Sequence, residues 1–134
     1  MDPLNPESFT HKKAFVNGIN LHYIDEGRDV NGVLILCHGF PDLWYGWRYQ
    51  IKFLVQKGFQ VLVPDLRGFG QSDAPRCPPN SFSAYSWKTI VTDLRDLMDA
   101  LSIPRAIFIG HDWTTDDSSG PNSDSTGAAW SSGA

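Results

Sequence analysis

What this chain lacks narrows its class before any motif is read. Cysteine is scarce: Cys37 sits in an apolar run and Cys77 in a proline-rich stretch, a usage that speaks against a disulfide framework and suits reduced thiols in the cytosol. No apolar run approaches the roughly 18 residues of a membrane span, and Met1-Asp2-Pro3-Leu4-Asn5-Pro6 has neither the basic nor the apolar stretch of a secretory leader. Basic charge is in deficit as well. The formal charge is −4, and setting aside the three aspartates beyond residue 113 leaves −1, so no basic face is expected for nucleic acid. No repeat is visible. Residues 114–134 contain no Leu, Ile, Val or Phe and only one large apolar group, Trp130, so this low-complexity tail is expected to be disordered. The 134 residues also fall short of the roughly 200–250 with which α/β enzymes close a large sheet.

What is present is a globular composition, 41% hydrophobic and 13% aromatic, concentrated before residue 114 and sufficient for a packed core there. Residues 1–11 are polar and proline-rich, and are expected to form a mobile lead-in to a partial domain spanning 12–113. Lys12 to Val16 and Ile19 to Asp25 read as a hairpin about Asn17-Gly18, a dipeptide tolerant of positive φ. Val33 to Cys37 is continuously apolar, as in a strand covered on both faces. Apolar side chains at spacings of three and four follow: Trp44, Trp47, Ile51, Leu54 and Val55 fall on one side of a helix predicted over 44–57 and closed by Gly58. Phe59 to Pro64 is a further strand. Ser86 is placed to cap a second helix whose inward stripe is Ile90, Leu94, Leu97, Met98 and Leu101, and Arg105 to Ile109 forms the last strand. An initial hairpin followed by alternating strands and helices gives an α/β fold with a mostly parallel sheet, in which ligands gather at the carboxyl ends of the strands. His38 to Pro41, Asp65 to Asp73 and His111 to Trp113 all lie at such ends, so these loops should meet on one rim.

Four segments, His38-Gly39-Phe40-Pro41-Asp42, Trp44 to Ile51, Asp65-Leu66-Arg67-Gly68-Phe69-Gly70-Gln71-Ser72 and Gly110-His111-Asp112-Trp113, occur in order within residues 12–113. Together they resemble the soluble epoxide hydrolases of the α/β-hydrolase superfamily, in its amino-terminal portion only. The resemblance implies that Asp112 is a nucleophile on a sharp strand-to-helix elbow, attacking an sp3 carbon to give an ester intermediate. It further implies that the backbone N–H groups of Phe40 and Trp113 form an oxyanion hole, that the Phe40-Pro41 peptide is cis, and that His38, Gly39 and Pro41 shape the substrate-binding loop. Epoxide conversion to a vicinal diol, with a small-molecule epoxide as substrate and neither cofactor nor metal, is the implied chemistry. A haloalkane or haloacetate dehalogenase shares that nucleophile and is the nearest alternative.

The pattern also departs from the family. Thr114-Thr115 stands where small residues are usual, and the family's cap, its tyrosines, the charge-relay acid and the catalytic histidine would all lie beyond Trp113. None of His11, His22, His38 and His111 matches the position of that base; a structural role is expected for His38 and His111. Without a base the alkylated Asp112 would not be released, so the chain is expected to be inactive as it stands. A non-catalytic fragment or mis-spliced product is the reading of another class. The last strand would then carry one edge without a partner, prone to aggregation or pairing. The glycines of the Arg67 loop read as packing aids rather than a phosphate cradle, and Asp116, Asp117 and Asp124 as solvated charge rather than a cation loop.

Overall fold

Asn17 (φ 47°) and Gly18 (φ 81°) turn β1 (His11–Val16) back upon β2 (Ile19–Glu26), the two consecutive positive φ values that a two-residue hairpin requires. In the computed structural model, which describes residues 1–77, 82–112 and 129–131, the sheet continues through β3 (Val33–Cys37), β4 (Gln60–Pro64), β5 (Arg105–Gly110) and β6 (Ala129–Ser131) in the spatial order β1-β2-β4-β3-β5-β6. β2 joins β4 antiparallel, whereas β4, β3 and β5 run parallel. The expected α/β architecture is therefore present: a hairpin at one side and a parallel centre.

Successive residues of the central strands serve opposite layers. Val33, Ile35 and Cys37 of β3 and Leu62 of β4 join the core under α2 (Trp87–Ala100), with Ile90, Leu94, Leu97 and Met98 from the helix. Leu34, Leu36, Val61 and Val63 face the other way, onto Trp44 and Ile51. Such two-sided burial is why β3 carries no polar residue, and each large side chain so covered contributes roughly 1.5–3 kcal/mol relative to exposure. The Cys37 thiol lies in this interior, where desolvation pushes its pKa up to about 12.

The helices begin and end where their sequences dictate. The Ser86 hydroxyl accepts the Thr89 N–H at 3.2 Å, capping α2 as expected. The first connection differs from the expectation of one helix over 44–57: Trp44–Trp47 forms a 3-10 turn, and only Arg48–Gln56 is α-helical, here α1. Gly46 explains part of this, since a Cβ there would lie 2.5 Å from Oδ2 of Asp42, and glycine disfavours the α conformation. Gly58 (φ 84°) closes α1 by donating to the Val55 carbonyl at 3.0 Å while Phe59 N–H donates to Leu54 at 3.3 Å. α2 ends in the same motif, but Ser102 (φ 54°) occupies the left-handed position.

Two further expectations are corrected. The amino-terminal residues, expected as a mobile lead-in, pack on the molecule: Phe9 is buried edge-on against Trp44 at 5.1 Å, and the Tyr45 hydroxyl donates to the Pro3 carbonyl at 2.8 Å. One aromatic anchor in a polar segment is enough to tie it down. The outer edge of β5, expected to lack a partner, is paired antiparallel over Arg105–Ile107 by Ala129–Ser131 from the tail. An edge with unfilled backbone groups accepts any extended segment, even a polar one, because the main chain supplies the bonds. The rest of the tail, 114–128 and 132–134, and prolines 78 and 79 lie outside the described residues.

α2 is fastened to the loop after β4 by a buried pair, Arg67 Nε and Nη2 each 2.7 Å from an Asp93 oxygen. Asp93→Ala should destabilise the fold by about 3–5 kcal/mol in urea unfolding, because it strands a buried guanidinium, whereas Lys12→Ala, which removes an exposed pair with Asp25, should cost about 0–1 kcal/mol. Ser102→Gly should raise stability by about 0.5–1 kcal/mol, by relieving the left-handed conformation at an exposed helix end.

Candidate active site

The site is assembled by register. β3 and β5 pair in parallel with Leu34 opposite Ile107 and Cys37 opposite Gly110, so both strands release their loops at the same level. His111 N–H then donates to the Cys37 carbonyl at 3.1 Å, carrying the ladder one residue past the strand end. The chain turns sharply at Asp112, whose φ of 62° is left-handed. This backbone lifts the carboxylate clear of its own strand, toward the loop leaving β3.

That loop approaches to contact. Phe40 N–H donates to Asp112 Oδ2 at 3.2 Å, and the Phe40-Pro41 peptide is cis, as the resemblance implied. Gly39 permits the approach: a Cβ on it would lie 2.5 Å from the Asp112 Cβ and 2.9 Å from the His111 carbonyl. Phe40 and Asp112 are exposed on the rim, while Gly39 is buried beneath them. An open groove of about 540 Å³ begins at Phe40 and is lined further by Gly68, Phe69 and Tyr85. The Phe40 and Phe69 rings meet edge to face at 6.1 Å, so the loops after β3, β4 and β5 converge as expected.

His38 takes a structural place. Buried completely, it accepts the Leu66 N–H on Nε2 at 3.0 Å, which leaves Nδ1 as the donor to the Gly39 carbonyl at 2.9 Å. Both nitrogens are thereby engaged and the ring pins its own loop to the one after β4. Trp113, expected as the second oxyanion donor, and the Thr114-Thr115 pair lie outside the described residues, as do Asp116, Asp117 and Asp124. Among the described residues no group of three or more His, Cys, Asp or Glu side chains is arranged to hold a metal ion.

Sequence reasoning missed a buried polar chain behind this rim. Asp65 Oδ1 accepts the Trp44 N–H at 2.9 Å, and Oδ2 accepts the Gln71 N–H at 3.0 Å and His22 Nδ1 at 2.7 Å. The second His22 nitrogen lies 2.9 Å from His11 Nδ1. Gly70 makes room, since a Cβ on it would fall 2.2 Å from Asp65 Oδ2. Burial raises the Asp65 carboxyl pKa, but the bonds from His22, Trp44 and Gln71 outweigh it and hold the group below the ordinary carboxylate value. Strand parity was the available signal: His22 shares a face with Ile24, which points into the core.

Comparison with known proteins bears on the family and the fold. Residues 32–115 match the family model described as alpha/beta hydrolase fold. The chain is 41% identical over 112 residues to bifunctional epoxide hydrolase 2 of Mus musculus, covering 83% of this chain and 19% of the mouse protein. It is 43% identical over 107 residues to epoxide hydrolase 2 of Siraitia grosvenorii, covering 80% and 32%. A crystal structure of an epoxide hydrolase from Vigna radiata superimposes with a TM-score of 0.72 at 38% identity, over 81% of this chain and 32% of that one. The chain thus spans between a fifth and a third of the length of these relatives.

Two outcomes are expected from the geometry. Gly39→Ala should cost about 1–3 kcal/mol through overpacking against Asp112 and should shift the Phe40 amide resonance. Because the Asp65 pKa is depressed on folding, its contribution is present above the unfolded value and lost as pH falls below about 4. Urea midpoints should drop through that acid limb, and Asp65→Asn, less stable at neutral pH, should show a shallower drop.

Proposed function

The chain belongs to the alpha/beta hydrolase fold family, and on that premise we propose that it carries the nucleophilic half of an epoxide hydrolase, with Asp112 as the attacking carboxylate. The observation that supports this most directly is the 3.2 Å bond from the Phe40 amide to Asp112 Oδ2 at a left-handed turn. One carboxylate oxygen is held by a main-chain donor. The carboxylate attacks an epoxide carbon: a C–O ester bond forms, the ring C–O bond breaks, and the alkoxide takes a proton from solvent. The names of the mouse, Siraitia and Vigna relatives favour an epoxide over a carbon bearing halide.

The Phe40 amide, with Trp113 as its partner donor, would stabilise the oxyanion when water attacks the ester, rather than the alkylation itself. His38, Gly39 and Pro41 act through the shape of this loop: His38 pins it, Gly39 lets it close, and Pro41 follows the donor residue. The second step needs a base, and three of the four histidines are bonded elsewhere, while His111 does not match the position of the family's base. His38 has both nitrogens bonded to backbone groups, and His11 and His22 are bonded to each other behind the rim. On this reading these 134 residues by themselves alkylate slowly and stall at the ester. A compartment in the cytosol and the absence of a resident cofactor remain part of this reading.

Incubation with styrene oxide tests it. Intact mass should rise slowly by one adduct per chain, peptide mapping should place the adduct on Asp112, and Asp112→Asn should abolish it. Diol should stay below about one equivalent per chain. An adduct confined to other residues, or steady diol formation, would overturn the proposal.

A further inference from the structure

The polar chain behind the rim has a proton count that its geometry fixes. His11 Nε2 lies 3.0 Å from the Pro6 carbonyl, an acceptor only, so this nitrogen carries a hydrogen. At the other end, His22 Nδ1 faces Asp65 Oδ2 at 2.7 Å, an oxygen that already accepts the Gln71 N–H, while Oδ1 accepts the Trp44 N–H. Asp65 is thus surrounded by donors, and His22 Nδ1 carries a hydrogen as well. The central contact, His11 Nδ1 to His22 Nε2 at 2.9 Å, needs one more. Three ring hydrogens are required, and two neutral imidazoles provide two.

The same carboxylate ends the oxyanion loop. The loop is pinned at its start by His38, through Leu66 N–H, and at its end by Trp44 N–H on Asp65. Phe40 lies between these two fastenings. With the premise that Asp112 is the nucleophile, we infer that Asp65 is a positioning residue for the Phe40 amide, kept ionised in the interior by a His11–His22 pair that shares one proton more than two neutral rings. The cationic pair neutralises a carboxylate buried with no arginine or lysine bonded to it among the described contacts. The two rings lie edge to edge, 5.1 Å between centroids and 29° from coplanar, the arrangement that an in-plane bond between ring nitrogens requires. In this arrangement the amino-terminal residues, through Pro6 and His11, reach the site without touching it.

The test uses the full 134-residue chain labelled with nitrogen-15 at pH 7. Long-range proton–nitrogen spectra of the imidazoles should show three protonated ring nitrogens shared by His11 and His22, and two would overturn the inference. Asp65→Asn should reduce that count to two. The Phe40 amide proton should follow the ionisation of Asp112 in the wild type, and in Asp65→Asn the amplitude of that response should fall below about half. An unchanged amplitude in a folded variant, with the amides of β3 and β5 unmoved, would refute the positioning role. Should Asp65→Asn not fold, His11→Phe removes the partner nitrogen of His22 and leaves Asp65 in place. His22 should then be singly protonated and the Phe40 response weakened, whereas a doubly protonated His22 there would sink the shared pair. Styrene oxide labelling of Asp112 is a separate readout: its failure would remove the nucleophile reading, while the ring-proton count would still stand or fall alone.

Discussion

The parallel pairing of β3 with β5 is the constraint on which the site depends. A parallel ladder fixes both strands in one direction and one register, so Cys37 and Gly110 finish together and their loops leave side by side. A shift by one residue would reverse which side chains of β5 face each layer, and would separate the Phe40 amide from Asp112. The two cores on opposite faces enforce the register because Leu34 and Leu36 belong to one and Val33, Ile35 and Cys37 to the other. Packing remote from the rim therefore decides geometry at the rim.

Behind that ladder the loop after β4 acts as a tie bar. Its Asp65 and Leu66 hold the loop after β3, and its Arg67 grips Asp93 on α2. Ser72 completes the loop by donating to the Asp65 carbonyl at 2.6 Å and accepting the His22 N–H at 2.8 Å. Polar side chains are buried here at high density, yet each is bonded, which is the condition under which such burial is tolerated. The glycines of the segment follow from the same crowding: Gly68 (φ 88°) runs against the Tyr85 ring, where a Cβ would sit 2.8 Å from Cε1.

Much of this was legible because local rules and tertiary demands coincide. Asn17-Gly18 announces a hairpin, Ser86 a helix start, Gly58 a helix end, and the unbroken apolar run of β3 a strand buried on both faces. The rim loops could be placed from strand polarity alone, and the family resemblance then distinguished Asp112 from the other aspartates. The features that escaped notice have little local signature beyond the strand parity of His22. Phe9 is one aromatic residue in a polar stretch, and Ala129–Ser131 pairs through backbone atoms that every residue possesses. The bonding of His11, His22 and Asp65 joins residues from β1, β2 and the loop after β4, a proximity that appears only once the sheet is ordered.

The left-handed backbone at Asp112 carries a consequence for the choice of residue at this turn. Aspartate is among the few side-chain-bearing residues that enter this dihedral region readily, because its short polar group can bond locally. With Asp112 as the proposed nucleophile, a carboxylate at this turn would answer two requirements with one residue: reactivity toward carbon, and a conformation that a branched aliphatic side chain resists. On that proposal, drift of this bend toward another chemistry has few residues open to it, since any replacement has to be both a competent attacking group and a willing occupant of an awkward dihedral.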